Sequence, residues 1–174
     1  MRTNQMSAQS TSMRKIMFEL GSGGGGSFWA DDYLLATLTI QQRVNRQGRV
    51  SLRDGNRALD IVCYPSRQRR EYRLLEGARL LARAEWLESA PTARVSYGGR
   101  DYAAGATGLF SITPEFDEQP VIGLDLPVDW HAARLMLLVQ SETDLPLVVF
   151  YSFIAYDLVQ AEAKSQSSQL DKAA

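Results

Sequence analysis

Leu145-Pro146-Leu147-Val148-Val149-Phe150-Tyr151-Ser152-Phe153-Ile154-Ala155-Tyr156-Asp157-Leu158 is the stretch that decides how this chain folds. Asp144, just ahead of it, is a favoured N-cap, and Pro146 suits the first turn of a helix, where its missing N–H is harmless. The β-branched and aromatic content would also suit a strand, but a run of about 14 residues is long for one, and length favours a helix. Such a helix carries apolar side chains on nearly every face, so it must be buried on most sides. It falls short of the roughly 20 apolar residues that a membrane-spanning helix needs, and Pro146, Ser152 and Asp157 interrupt it. Something else in the chain must enclose it.

The preceding residues supply a candidate wall. Arg14 to Leu20 reads as a short strand and Tyr33 to Val44 as a long one, rich in Leu, Ile and Thr. A rhythm of strand, turn and strand follows. Arg49–Arg53 and Ala58–Tyr64 flank Asp54-Gly55-Asn56, and Asp-Gly between two alternating runs is a strong hairpin signal. Arg70–Leu75 and Leu80–Trp86 flank Glu76-Gly77. Ala93–Tyr97 and Arg100–Ala103 flank Gly98-Gly99. Leu109–Ile112 and Val121–Leu126 flank a turn over Thr113–Glu118. Residues 75–86 could also be read at helical spacing, since Ala, Leu and Arg are good helix formers. The flanking hairpins favour a strand. The expected fold is mostly β with one buried C-terminal helix: a closed antiparallel barrel of consecutive hairpins around a hydrophobic helix.

Residues 14–159 then form one domain, between a polar tail over 1–13, expected to be disordered, and a second polar tail over 160–174. Gly21-Ser22-Gly23-Gly24-Gly25-Gly26-Ser27 has the composition of a flexible loop or linker, like that of engineered spacers. It is not a phosphate loop, because no Gly-Lys-Ser/Thr follows and no helix opens after it.

The formal net charge of −1 argues against generic nucleic-acid binding. The positive charge is nearly all arginine; only Lys15, Lys164 and Lys172 are lysines. Cys63 is the single cysteine, so no intrachain disulfide forms, and no basic neighbours lower its pKa. It reads as a buried structural thiol. With no signal peptide visible behind Arg2, a cytoplasmic location is the expectation. One His (His131) and one Cys cannot build a typical zinc site, and no GxSxG elbow is present, so no metal, cofactor or catalytic residue is assigned. Asp31 and Asp32 read as a solvated strand start, and Trp29, Trp86 and Trp130 as core or lid residues. Arg67, Arg69, Arg70 and Arg73 form the densest positive cluster, in a loop between two hairpins, where guanidinium forks could grip phosphates or lipid headgroups.

The hairpin series closed by the apolar segment 145–158, ending near Asp157, resembles the tubby C-terminal-like superfamily, in particular its LURP-one-related and phospholipid scramblase branches. Arg49–Gly55 and Arg94–Tyr102 correspond to hairpins, and residues 145–158 to the central helix. The resemblance implies a closed antiparallel barrel around a hydrophobic helix, and it implies binding of phosphoinositide headgroups by basic residues. No family residue can be matched individually here, and Arg67–Arg73 are a chemical analogue only. The expected function is that of a non-enzymatic binding module acting at anionic membrane surfaces or phospholipid headgroups. The alternatives are a lipocalin-like carrier of small ligands, which needs 145–158 to be a strand and the bore to be open, a protein-interaction scaffold, or an enzyme.

Overall fold

The computed structural model describes residues 12–21, 24–41, 47–53, 56–87, 92–105, 111–114, 119–124 and 134–158. Twelve strands form the wall: β1 (Met13–Gly21), β2 (Gly25–Ala30), β3 (Tyr33–Gln41), β4 (Gln47–Leu52), β5 (Ala58–Pro65), β6 (Arg69–Glu76), β7 (Arg79–Leu87), β8 (Thr92–Tyr97), β9 (Arg100–Gly105), β10 (Ser111–Pro114), β11 (Ile122–Leu124) and β12 (Arg134–Gln140). Each pairs antiparallel with the next, and β12 closes the circle on β1 in a seven-residue register from Met13↔Gln140 to Glu19↔Arg134. Closure gives every strand a paired neighbour on both sides. The helix α1 spans residues 145–158.

Strand alternation sets which residues line the bore. On β4, Gly48, Val50 and Leu52 are buried while Gln47, Arg49 and Ser51 are exposed, the period of two expected of a half-buried strand. Inward residues of the strands and the helix join in one hydrophobic cluster. Every residue from Leu147 to Ala155 is buried, including the polar Ser152, so no face of this central part of α1 meets water. Ser152 resolves its own burial by donating its hydroxyl to the Val148 carbonyl one turn back, at 2.8 Å. The Asp144 carbonyl accepts from the N–H groups of Leu147 and Val148, at 3.1 and 3.3 Å, so Asp144 stands at the N-cap as its sequence position suggested. The carrier alternative required an open bore and a strand at 145–158; the helix fills that space, and this alternative is withdrawn.

Residues 75–86 belong to β6, a tight turn and β7, as the flanking hairpins indicated. Gly98 and Gly99, with φ of 57° and 77°, make the two-residue left-handed turn that matches the twist of paired strands. Two expectations need correction. Met13, assigned to the tail, opens β1. Much of the glycine run is strand, not loop or linker: Gly21 ends β1, Gly25, Gly26 and Ser27 are paired within β2, and Gly24 stands in the turn between them. Composition suggested mobility there, but the wall demands close approach. A Cβ at Gly26 would lie 2.3 Å from the Phe18 ring and 2.7 Å from the Glu19 carbonyl oxygen. Phe18 itself stacks on Phe28, with centroids 4.5 Å apart. Of the remaining expectations, residues 42–44 of the long strand, Leu109 and Phe110, His131, Trp130 and the tail 160–174 lie outside the described residues.

A methyl group at Gly26 must displace an aromatic ring and backbone, whereas one at Gly123, also on a strand, meets nothing within 4 Å. Gly26→Ala is expected to lower stability by about 1–3 kcal/mol, and Gly123→Ala to stay within about 0.5 kcal/mol of the parent, as read by urea or thermal melts of both proteins. Equal melting of the two variants would contradict the close packing at Gly26.

Candidate functional site

The barrel has two ends. Residues 12, 31–32, 77–78, 98–99 and 141–144 lie at the end where α1 enters, because β12 runs toward it and the other strands alternate in direction from there. Residues 65–68 and the C-terminal end of α1 lie at the opposite end.

The predicted basic cluster sits at this second end, and the register of β6 divides it. Arg70, Tyr72 and Leu74 alternate on the inner side of the wall; Arg69, Glu71 and Arg73 lie on the outer side. Arg70 therefore enters the bore, while Arg67, Arg69 and Arg73 stay exposed. Its Nη1 donates to Oδ2 of Asp157 at 2.9 Å. The Tyr72 hydroxyl donates to the same oxygen at 2.9 Å, and the Cys63 thiol points to it from 3.8 Å. Asp157 is 1% exposed and sits in the last turn of α1, where the negative end of the helix dipole disfavours a carboxylate. A buried charge so placed must be paired, and three donors on one oxygen meet that demand.

The electrostatics of this cluster suit anchoring more than reactivity. Burial, followed by the charge of Asp157, pushes the Cys63 thiol up to about 12. Burial and Asp157 likewise raise the Tyr72 phenol. Burial works against the charge of Arg70, but Tyr72 and Asp157 outweigh it and hold the guanidinium firmly protonated. A thiol kept in its neutral form is a poor nucleophile, in keeping with the structural role expected from the sequence. At the other end Arg14 also turns inward, donating from Nη2 to the Thr143 carbonyl at 3.2 Å beside the start of α1.

On the outer face, β6 and β7 oppose like charges directly, Glu71 against Glu85 and Arg73 against Arg83. Direct opposition of like charges is unfavourable, and the ion pairs run along the strand or diagonally instead. Glu71 receives Arg73 Nε at 2.7 Å and Arg83 Nε at 3.2 Å, while Arg69 Nη1 meets Glu85 at 2.9 Å. The Arg73 hydrogen bond, with the charges of Arg73 and Arg83, holds the Glu71 carboxyl below its usual range despite burial. Arg73 also lies over the Tyr64 ring, 5.1 Å from its centroid. Of the four predicted arginines, Arg70 is thus committed to the bore, Arg73 to Glu71, and Arg69 to Glu85 with an exposed side chain. Arg67 makes no ion pair with any described residue. The sequence did carry a signal for the division: Tyr72 and Leu74 share parity with Arg70, and Asp157 is the one acid in the apolar segment.

Asp31 and Asp32 are exposed in the β2–β3 turn, Asp31 in the left-handed region at φ 51°. Among the described residues no group of three or more His, Cys, Asp or Glu side chains is placed to hold a metal. No helix among them is long and apolar enough to cross a membrane.

Two outcomes test the anchor. Arg70→Met leaves Asp157 buried without its cation and is expected to cost about 3 kcal/mol in chemical denaturation, whereas adding Asp157→Asn should recover more than half of that loss. Additive losses would mean that the pair is not coupled. Because the folded thiol titrates above the unfolded one, the native state holds the Cys63 proton where the unfolded chain releases it. Stability should therefore decline, relative to Cys63→Ala, as pH rises from about 8.5 toward 12. A pH-independent difference between the two proteins over that window would contradict the buried neutral thiol.

No protein-family model, curated protein or solved structure matches this chain.

Proposed function

We propose that this chain is a non-enzymatic binding module that docks on anionic membrane surfaces through the end of the barrel where α1 terminates. The observation that carries this reading is the composition of that rim. Arg67 and Arg69 are exposed there, and Tyr64 and Leu87 stand beside them 40% and 43% exposed. Arg69 is paired directly with Leu87 across β6 and β7, and Tyr64 precedes the loop that carries Arg67. Cations set among exposed aromatic and aliphatic side chains match a membrane interface. The guanidiniums meet phosphate, and the apolar groups enter the headgroup boundary.

The filled bore supports the same reading indirectly, because binding must then use the outer surface. The resemblance to the tubby C-terminal-like superfamily points toward phospholipid as well. The structure changes which residues suit a test. Arg70 holds Asp157, so replacing it would unseat the helix and confuse binding with folding. Arg69 has Glu85 as a partner, but both side chains are exposed, and a pair of this kind contributes little to stability.

Co-sedimentation with phosphatidylserine-containing vesicles should retain the protein, and phosphatidylcholine vesicles should not. Arg67→Glu with Arg69→Glu should weaken retention by roughly tenfold or more, given about 1 kcal/mol per basic residue near an anionic surface. Salt should weaken it in parallel, and Tyr64→Ser with Leu87→Ser should shorten the residence that persists at high salt. Retention indifferent to both charge reversal and salt would remove this reading.

A further inference from the structure

The opposite end of the barrel carries a second feature. Where α1 enters, a cavity of about 600 Å³ opens between the β6–β7 and β8–β9 hairpins and the start of the helix. A smaller cavity of about 250 Å³ adjoins it, and the two share Tyr97, Gly98 and Asp144. The larger volume lies within the range of small-molecule sites. The bore is closed, so this trough is a concavity of the rim and distinct from the barrel interior.

The lining is sorted by chemistry. Arg57 and Arg79 supply cations. Arg57 uses Nε on Glu76 at 2.7 Å, and Arg79 makes no ion pair with any described residue. Asp144 supplies a carboxylate facing the same space. One of its oxygens, Oδ2, accepts from the Tyr97 hydroxyl at 3.1 Å. Burial first, and then the charge of Asp144, push the Tyr97 phenol up to about 12, so it remains a donor. Acceptor capacity on Asp144 exceeds what one phenol uses. Leu80, Leu81 and Pro146 form an apolar wall, and Leu80 is 52% exposed although it belongs to a strand. The tight turns at 77–78 and 98–99 keep bulky side chains out of the mouth: a Cβ at Gly77, Gly98 or Gly99 would meet nothing within 4 Å.

Two guanidiniums and two carboxylates balance around the larger cavity: Glu76 bonds Arg57 and faces Arg79 across β6 and β7, and Asp144 adds its charge beside Arg57. A dianionic phosphate would face Asp144 there, and a cation would face Arg79. The charge pattern fits a ligand that carries both signs. We infer that this trough binds a small zwitterion with a short apolar body, of which an α-amino acid with an aliphatic side chain is the simplest case. Its carboxylate meets Arg79, its ammonium meets Asp144, and its side chain lies on Leu80, Leu81 and Pro146. The site uses neither the filled bore nor the arginine rim at the far end, so it stands apart from membrane docking.

Titration calorimetry and ligand-detected NMR on the full chain, with L-leucine, N-acetyl-L-leucine and L-leucinamide as probes, test the assignment. Leucine is expected to bind with a Kd on the order of 1 mM, a value in keeping with a ligand of so few atoms. The acetylated and amidated forms, each lacking one charge, should bind at least tenfold more weakly. Arg79→Gln and Asp144→Asn should each weaken leucine about tenfold or more while melting near the parent temperature, since Arg79 is exposed and Asn remains a good N-cap. Leu80→Ser should weaken it without changing the preference among the three probes. Absence of leucine binding up to about 20 mM, N-acetyl-leucine binding as tightly as leucine, or unaltered affinity in both charge variants would each overturn the proposal.

Discussion

A helix with no polar face cannot be stable in water without a wall around it, and this constraint governs the molecule. Nine consecutive residues of α1, Leu147 to Ala155, are buried at once. A single sheet or a neighbouring helix could cover only one side of such a segment. The closed circuit from β1 to β12 covers all sides and also removes the free edges that an open sheet would present. The wall is fitted to its occupant: a side chain at Gly48 would press on the Phe153 ring at 3.0 Å, so glycine there makes room for the aromatic. Tyr72 meets the same ring edge-on, with centroids 6.4 Å apart.

Enclosure creates an electrostatic problem at the C-terminal end of the rod, and an inward arginine answers it. Asp157 is a charge buried at the unfavourable end of a helix dipole; Arg70 neutralises it and Tyr72 and Cys63 complete its coordination. Arg14 ties the chain just ahead of the helix to β1. These contacts fix the position of α1 along the bore more sharply than apolar packing alone, because a slide of one turn would strand a carboxylate in hydrocarbon. The same commitment explains why a basic cluster that looks continuous in sequence divides into an anchoring residue and an outer, partly neutralised face.

Function is thereby displaced to the surface. Among the described residues the helix occupies the bore, and the concavities lie at the rim where it enters. One rim presents exposed arginines among Tyr64 and Leu87. The other holds a trough in which cations, a carboxylate and an apolar wall face a common volume. The two differ in composition: the first sets cations among exposed apolar side chains, and the second gathers both signs of charge around a concavity.

The local features of the chain were decided by the sequence alone. Alternation of apolar and polar residues marked the strands, Glu76-Gly77 and Gly98-Gly99 marked turns, and Asp144 with Pro146 marked the start of a helix whose apolar circumference required a closed wall. These depend on near neighbours, which the sequence displays directly. The split of Arg67–Arg73 between bore and surface, the recruitment of Gly25–Ser27 into a strand, and the meeting of Arg57, Arg79, Tyr97 and Asp144 around one trough were decided only by tertiary structure. Strand register fixes them: a shift of one residue exchanges the two faces of a strand, and the register of each strand is set by partners far away in the chain. Glycines that read as freedom in isolation proved to be clearance once Phe18 and the neighbouring strand stood beside them.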